Sequence, residues 1–80
     1  MKTEEIKSRI LTLSDDTHTE VKDLTGTENH YQALVVSSKF EKTLKIEQHR
    51  IVFDLFKEEL RSGEIHALQL QTYTPEQFNN

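Results

Sequence analysis

Apolar positions fall into five groups along the chain, and their spacing separates helices from strands. Ile6, Ile10 and Leu13 recur at steps of four and three residues, which predicts a first helix with Thr3 at its cap and Glu4 and Glu5 in its opening turn. The polar run Asp15-Asp16-Thr17 follows, so this helix is expected to end near Ser14. His18 to Leu24 carries β-branched residues in weak alternation and reads as a short strand. Thr25 to Asn29 reads as a turn, with Gly26 and Asn29 suited to positive φ. From Tyr31 to Val36 the alternation is clear: Tyr31, Ala33 and Val35 oppose Gln32, Leu34 and Val36 until Ser37-Ser38 closes the strand. The two strands are expected to pair as a hairpin.

The period then changes. Between Thr43 and about Leu60, Ile51, Val52, Leu55, Phe56 and Leu60 make a broad apolar stripe, which predicts a second helix with Gly63 placed to cap its end. Ile65 to Tyr73 reads as a third strand, and Pro75 stops further pairing. The order α-β-β-α-β predicts an α+β two-layer sandwich with both helices on one face of a three-stranded sheet. The connection from the second strand to the third is long enough for a right-handed crossover, so that pair is expected to be parallel and the sheet mixed.

Eighty residues suit a single domain, residues 1–80, with no internal repeat, linker or low-complexity segment. A chain of this size has room for one thin core but not for a deep enclosed cleft, which argues against a stand-alone enzyme. The absence of cysteine excludes a disulfide framework, a structural thiolate zinc site and a cysteine nucleophile. Met1 leads directly into a charged amphipathic stretch, and no run approaches the ~20 apolar residues of a membrane span, so a soluble cytoplasmic chain is expected. The net charge of −4 opposes non-specific attraction to nucleic acid or anionic membranes.

The charge is uneven, and the chemistry is sparse. Lys39, Lys42, Lys45 and Arg50 give residues 39–50 a local positive excess, whereas residues 51–64 are net negative. With His49, these cations form either a partner-binding stripe or an ordinary solvated helix face. The carboxylates are scattered, two glycines cannot build a phosphate loop, and Ser37-Ser38 has no nucleophile-elbow context. The histidines remain. His66, one residue into the last strand, is expected on the same side as Leu68 and Leu70 and reads either as a metal ligand or as a residue closing the sheet end. If the last two strands are parallel, His30 lies at the same end, either as a second ligand or as a polar turn-flanking residue. His18 reads as an exposed residue at the start of its strand.

Several segments taken together resemble the BolA family: Asn29-His30-Tyr31, Val35-Val36-Ser37, Phe40-Glu41, Glu47-Gln48-His49-Arg50-Ile51-Val52, Glu58-Glu59-Leu60, Ile65-His66-Ala67-Leu68 and Thr72-Tyr73-Thr74-Pro75-Glu76. The resemblance covers nearly the whole chain and implies a fold similar to class II KH domains. It also implies association with a monothiol glutaredoxin and glutathione around a bridging 2Fe-2S cluster, which the isolated chain is not expected to hold. The family's C-terminal histidine ligand maps to His66. Its second ligand, a cysteine or histidine from the loop between the first two strands, has His30 as nearest candidate. The family commonly has glycine after the Phe-Glu pair, where this chain has Lys42, so the turn before the second helix is expected to differ.

These features imply a non-enzymatic iron-sulfur assembly or trafficking factor, with the basic segment contributing to docking and the free chain a monomer or weak homodimer. Imidazole in place of thiolate removes negative charge from one iron, and ligation requires the neutral ring, so such a site weakens in acid. The alternative is a nucleic-acid-binding transcriptional regulator, with DNA a candidate partner, using residues 39–50 as a helix-turn-helix-like element. Against that stand the missing Gly-x-x-Gly clamp and the absence of a row of aromatic residues beside the cations. A plain adaptor whose histidines bind nothing is a third reading.

Overall fold

The structure is a computed structural model and describes residues 1–79. Its elements are α1 (Thr3–Ile10), a 3-10 turn (Leu11–Leu13), β1 (His18–Asp23), β2 (His30–Val36), a second 3-10 turn (Ser38–Phe40), α2 (Lys45–Leu55), α3 (Lys57–Ser62), β3 (Ala67–Tyr73) and α4 (Pro75–Asn79). β2 is central, antiparallel to β1 and parallel to β3. The expected mixed α+β sheet is therefore present. Ile6 and Ile10 of α1, together with Val52 of α2 and Phe56 just beyond it, pack with Tyr31, Ala33 and Val35, the alternate residues of β2, so both helices lie on one face. The other face, with Glu20, Lys22, Gln32, Leu34 and Gln71, is open.

Val36 belongs to the open face yet is buried. It pairs with His18 on one side and Tyr73 on the other, and the Phe78 ring of α4 lies 5.8 Å from His18 and 6.2 Å from Tyr73. This short helix was not expected from the sequence, because five residues carry no readable period. Pro75 begins it, a position where the missing proline N–H costs nothing.

The caps differ from expectation. The first helix is capped at Lys2 rather than Thr3: the Lys2 N–H donates to the Glu5 carboxylate at 3.0 Å. α2 begins at Lys45, two residues after Thr43, because the Leu44 N–H is taken by Glu47 at 3.3 Å. Just ahead of it, Lys42 adopts φ +62°, the left-handed conformation that glycine favours. The departure from glycine therefore keeps the turn and places a side chain in a strained position.

The long second helix is two helices. At Phe56 the backbone leaves helical geometry (φ −120°, ψ 21°), its ring is fully buried, and Arg9 spans the break. Arg9 Nη1 donates to the Leu55 carbonyl at 2.9 Å and to Glu59 at 2.8 Å, while its guanidinium lies 5.1 Å from the centre of the Phe56 ring. Gly63 ends α3 in the left-handed conformation, as expected. A buried amide joins α2 to the sheet: Gln48 accepts from the Thr72 hydroxyl at 2.8 Å and donates to the Phe40 and Thr43 carbonyls. Among the described residues no buried side-chain polar atom lacks a partner.

Two predictions follow from these local contacts. Arg9→Ala is expected to cost about 1–2 kcal/mol in urea unfolding at neutral pH. The hydrogen bond from Arg9 holds the Glu59 carboxyl below the ordinary glutamate range. A depressed folded pKa gives stability that is present above the unfolded value and lost as pH falls through the folded one. The gap between wild type and Arg9→Ala should therefore narrow below about pH 4.3. Lys42→Gly is expected to raise stability by about 0.5–1 kcal/mol, since relief of the left-handed strain outweighs the added freedom of the unfolded chain; unchanged stability would refute the strain.

Candidate functional site

The parallel pairing sets the site. His30 starts β2 and is paired with Ala67, which starts β3, so both strands begin at the same end of the sheet. The His30 and His66 rings lie side by side, with centroids 5.6 Å apart and planes inclined by 30°. The expected juxtaposition of the two histidines is present.

Its detail departs from a simple strand. β3 begins at Ala67, so His66 precedes it and does not share the inward side of Leu68: Leu68 is buried and His66 is exposed. The cause is a shared acceptor. The Asn29 carbonyl takes both the His66 N–H, at 2.7 Å, and the Ala67 N–H, at 3.2 Å, and the chain bends there before entering the ladder. Ile65, just before it, is buried in the core.

Asn29 also holds the other ring. Its Oδ1 lies 2.7 Å from His30 Nδ1 and accepts a second hydrogen bond from the Thr27 hydroxyl. An amide oxygen only accepts, so this contact places the imidazole proton on Nδ1 and leaves the lone pair on Nε2. The loop is wound around Asp23, whose carboxylate accepts the N–H groups of Thr25 at 3.3 Å, Gly26 at 3.0 Å and Glu28 at 3.1 Å. Gly26 and Glu28, rather than Gly26 and Asn29, take the positive φ values. The Tyr31 hydroxyl next to His30 donates to the Met1 carbonyl, and burial, aided by nearby carboxylates including Asp23, pushes its pKa up.

Two imidazoles are half a coordination shell. Among the described residues no group of three or more His, Cys, Asp or Glu is placed to hold a metal ion, and Glu28 is engaged by Lys2 at 3.1 Å. An iron or other borderline metal ion at this end needs its remaining ligands from another molecule. The pair offers two imidazoles at the starts of adjacent strands, one with its tautomer set by a neighbour.

The basic residues do not form the expected single stripe, and residues 39–50 are not two helices around a turn. Lys39 lies in a 3-10 turn, Lys42 in the strained turn, and Lys45, His49 and Arg50 on α2. Lys45 folds back onto β3, where Nζ donates to the Thr72 carbonyl and lies 4.4 Å from the centre of the Tyr73 ring. His49 meets Phe53 edge to face. Lys45, Ile46, His49, Arg50 and Phe53 line an open groove of about 400 Å³, beside which Leu44 and Ile46 are 68% and 65% exposed. Thr72 and Ala67 lie at opposite ends of β3, so the groove is roughly 15–20 Å from the histidine pair. His18 is exposed, at the start of its strand as expected, and is 3.3 Å from Glu20.

Asn29 was read as a turn residue and Asp23 as part of the first strand. Asp23 three positions before Gly26 was a readable turn signal, whereas the double role of Asn29 depends on β3 and has no local signature.

The two-layer α-β-β-α-β domain defines a class of fold, and the comparisons with known proteins place it. The profile of the BolA-like protein family matches residues 3–77. The chain belongs to the BolA family. A BolA-like protein of Dictyostelium discoideum is 43% identical over 53 residues, 66% of this chain and 46% of that protein. A Haemophilus influenzae protein named DNA-binding transcriptional regulator BolA is 38% identical over 53 residues, 66% of this chain and 50% of its own length. The chain thus spans about half the length of these curated relatives. The BolA domain of SufE1 from Arabidopsis thaliana superposes with a TM-score of 0.82 at 27% identity, covering 96% of this chain and 98% of that one. No helix among the described residues is long and apolar enough to cross a membrane.

Proposed function

We propose that this chain is a non-enzymatic iron-sulfur cluster assembly or trafficking factor of the cytoplasm. In this reading His66 and His30 bind one side of a 2Fe-2S cluster, and a monothiol glutaredoxin with glutathione holds the other. The observation that carries the reading is the ring pair itself: two imidazoles 5.6 Å apart at one strand end, with no third ligand group among the described residues. A chain with half a ligand set and no cysteine depends on a partner to hold such a cargo. Nitrogen ligation gives the shared cluster a higher reduction potential than four thiolates and makes the bond to this chain the one that acid releases.

The test is reconstitution of a monothiol glutaredoxin with cluster and glutathione, followed by titration with this protein under visible absorption and circular dichroism. A spectral change saturating at one to one is expected. His66→Ala should abolish it, and His30→Ala should weaken it by about tenfold or more. An unchanged spectrum in His66→Ala would overturn the assignment.

A second reading, DNA binding, draws on the name of the Haemophilus relative and on one observation: Lys39, Lys42 and Arg50 have no ion-pair partner among the described residues. Under that reading, affinity for duplex DNA falls steeply with salt, and replacing these three cations by Ala reduces the salt slope by about three. Affinity independent of salt would rule it out.

A further inference from the structure

We propose that Asn29 is the positioning residue that makes a ligand pair of His30 and His66, setting the tautomer of one ring through its side chain and the place of the other through its main chain. The inference rests on reading the two histidines as ligands. Their rings, His66 exposed and His30 half-buried, lie at the mouth of a sheet and have no intrinsic reason to present lone pairs in a common direction. Asn29 supplies that order from a single position.

The side-chain half of the argument is a matter of donors and acceptors. A neutral imidazole carries one proton on its two nitrogens, and free histidine favours placing it on Nε2. At 2.7 Å from His30 Nδ1, the Asn29 Oδ1 reverses that preference, since an oxygen without a hydrogen needs a donor opposite it. In this orientation of the amide the Thr27 hydroxyl donates to the same oxygen. The outer nitrogen, Nε2, is then the free base. The amide turned over would present N–H to Nδ1 and put the ring proton on Nε2, where it blocks a metal, so the tautomer is a direct readout of the arrangement.

The main-chain half concerns His66. A parallel ladder ordinarily brings one N–H to each carbonyl, but the Asn29 carbonyl receives two, from His66 and Ala67. The extra bond draws the His66 backbone out of the strand and carries its ring away from the inward side of Leu68 to lie against His30. The side chain and carbonyl of one residue thereby reach both rings, across the β2–β3 pair that joins them.

The two halves separate experimentally, because substitution removes the amide and leaves the carbonyl. The apo chain, labelled with 15N, is observed by two-bond proton-nitrogen correlation of the imidazole rings, then titrated with Co2+ while the His30 and His66 ring protons are followed. In wild type, His30 is expected to carry its proton on Nδ1, and both rings are expected to respond at the same metal concentration. Asn29→Ala should return His30 to the Nε2–H form and raise the metal concentration needed by about tenfold, with the His66 amide shift little changed. Asn29→Asp, which keeps the acceptor oxygen, should restore the Nδ1–H form. Thr27→Val, which removes only the second donor, should lower its population and serves if Asn29→Ala does not fold. A wild-type His30 protonated on Nε2, or a tautomer indifferent to Asn29, overturns the positioning role whatever the metal does. The expected tautomers with no common response of the two rings to Co2+ overturn the ligand reading instead, and the proposal with it.

Discussion

Everything at the candidate site depends on the parallel pairing of β2 with β3. Were the two strands antiparallel, His30 would face Tyr73 and the end of the chain, and His66 would lie a full strand length away. Because they run together, two residues distant in sequence begin their strands side by side. Parallel pairing in turn requires a long crossover, and α2 and α3 supply it, with Gln48 fastening the crossover to Thr72 and Arg9 bridging its break. The helical layer thus does two jobs: it covers the core, and it makes possible the strand direction that the histidines need.

The architecture was legible because it is written in periods. The second strand and the two helical stretches carried clear alternation or stripes, the first strand a weaker one, and the single long connection left few topologies. Gly63 as a cap was readable for the same reason, since it is a backbone demand at one residue, whereas the turn at Lys42 was expected to change and kept its left-handed form. The resemblance to the BolA family supplied the pairing of His66 with a loop residue, and topology alone brought His30 to the same end.

What escaped was tertiary. The break at Phe56 depends on Arg9, far earlier in the sequence, and a stripe analysis reads straight through it. Lys45 looked like part of a cationic row, but an ammonium group at the end of a flexible stem goes where a carbonyl and a ring await it, here Thr72 and Tyr73. The bend at His66 arises because one carbonyl serves two amides, which period-two reasoning cannot anticipate. In each case a polar group found its partner across the fold, and hydrophobic spacing is silent about such choices.

The dependence on β3 has a temporal side. Local segments, the helices and the β1–β2 hairpin, can form early, whereas joining β3 to β2 closes a long loop and belongs to the slow, cooperative end of folding. Until that strand docks, His66 is simply one residue on a flexible tail, and His30 lacks its neighbour. A chain emerging from the ribosome therefore acquires both rings of the pair only once its last strand is in place. In the proposed role, readiness to take cargo would report that folding has finished.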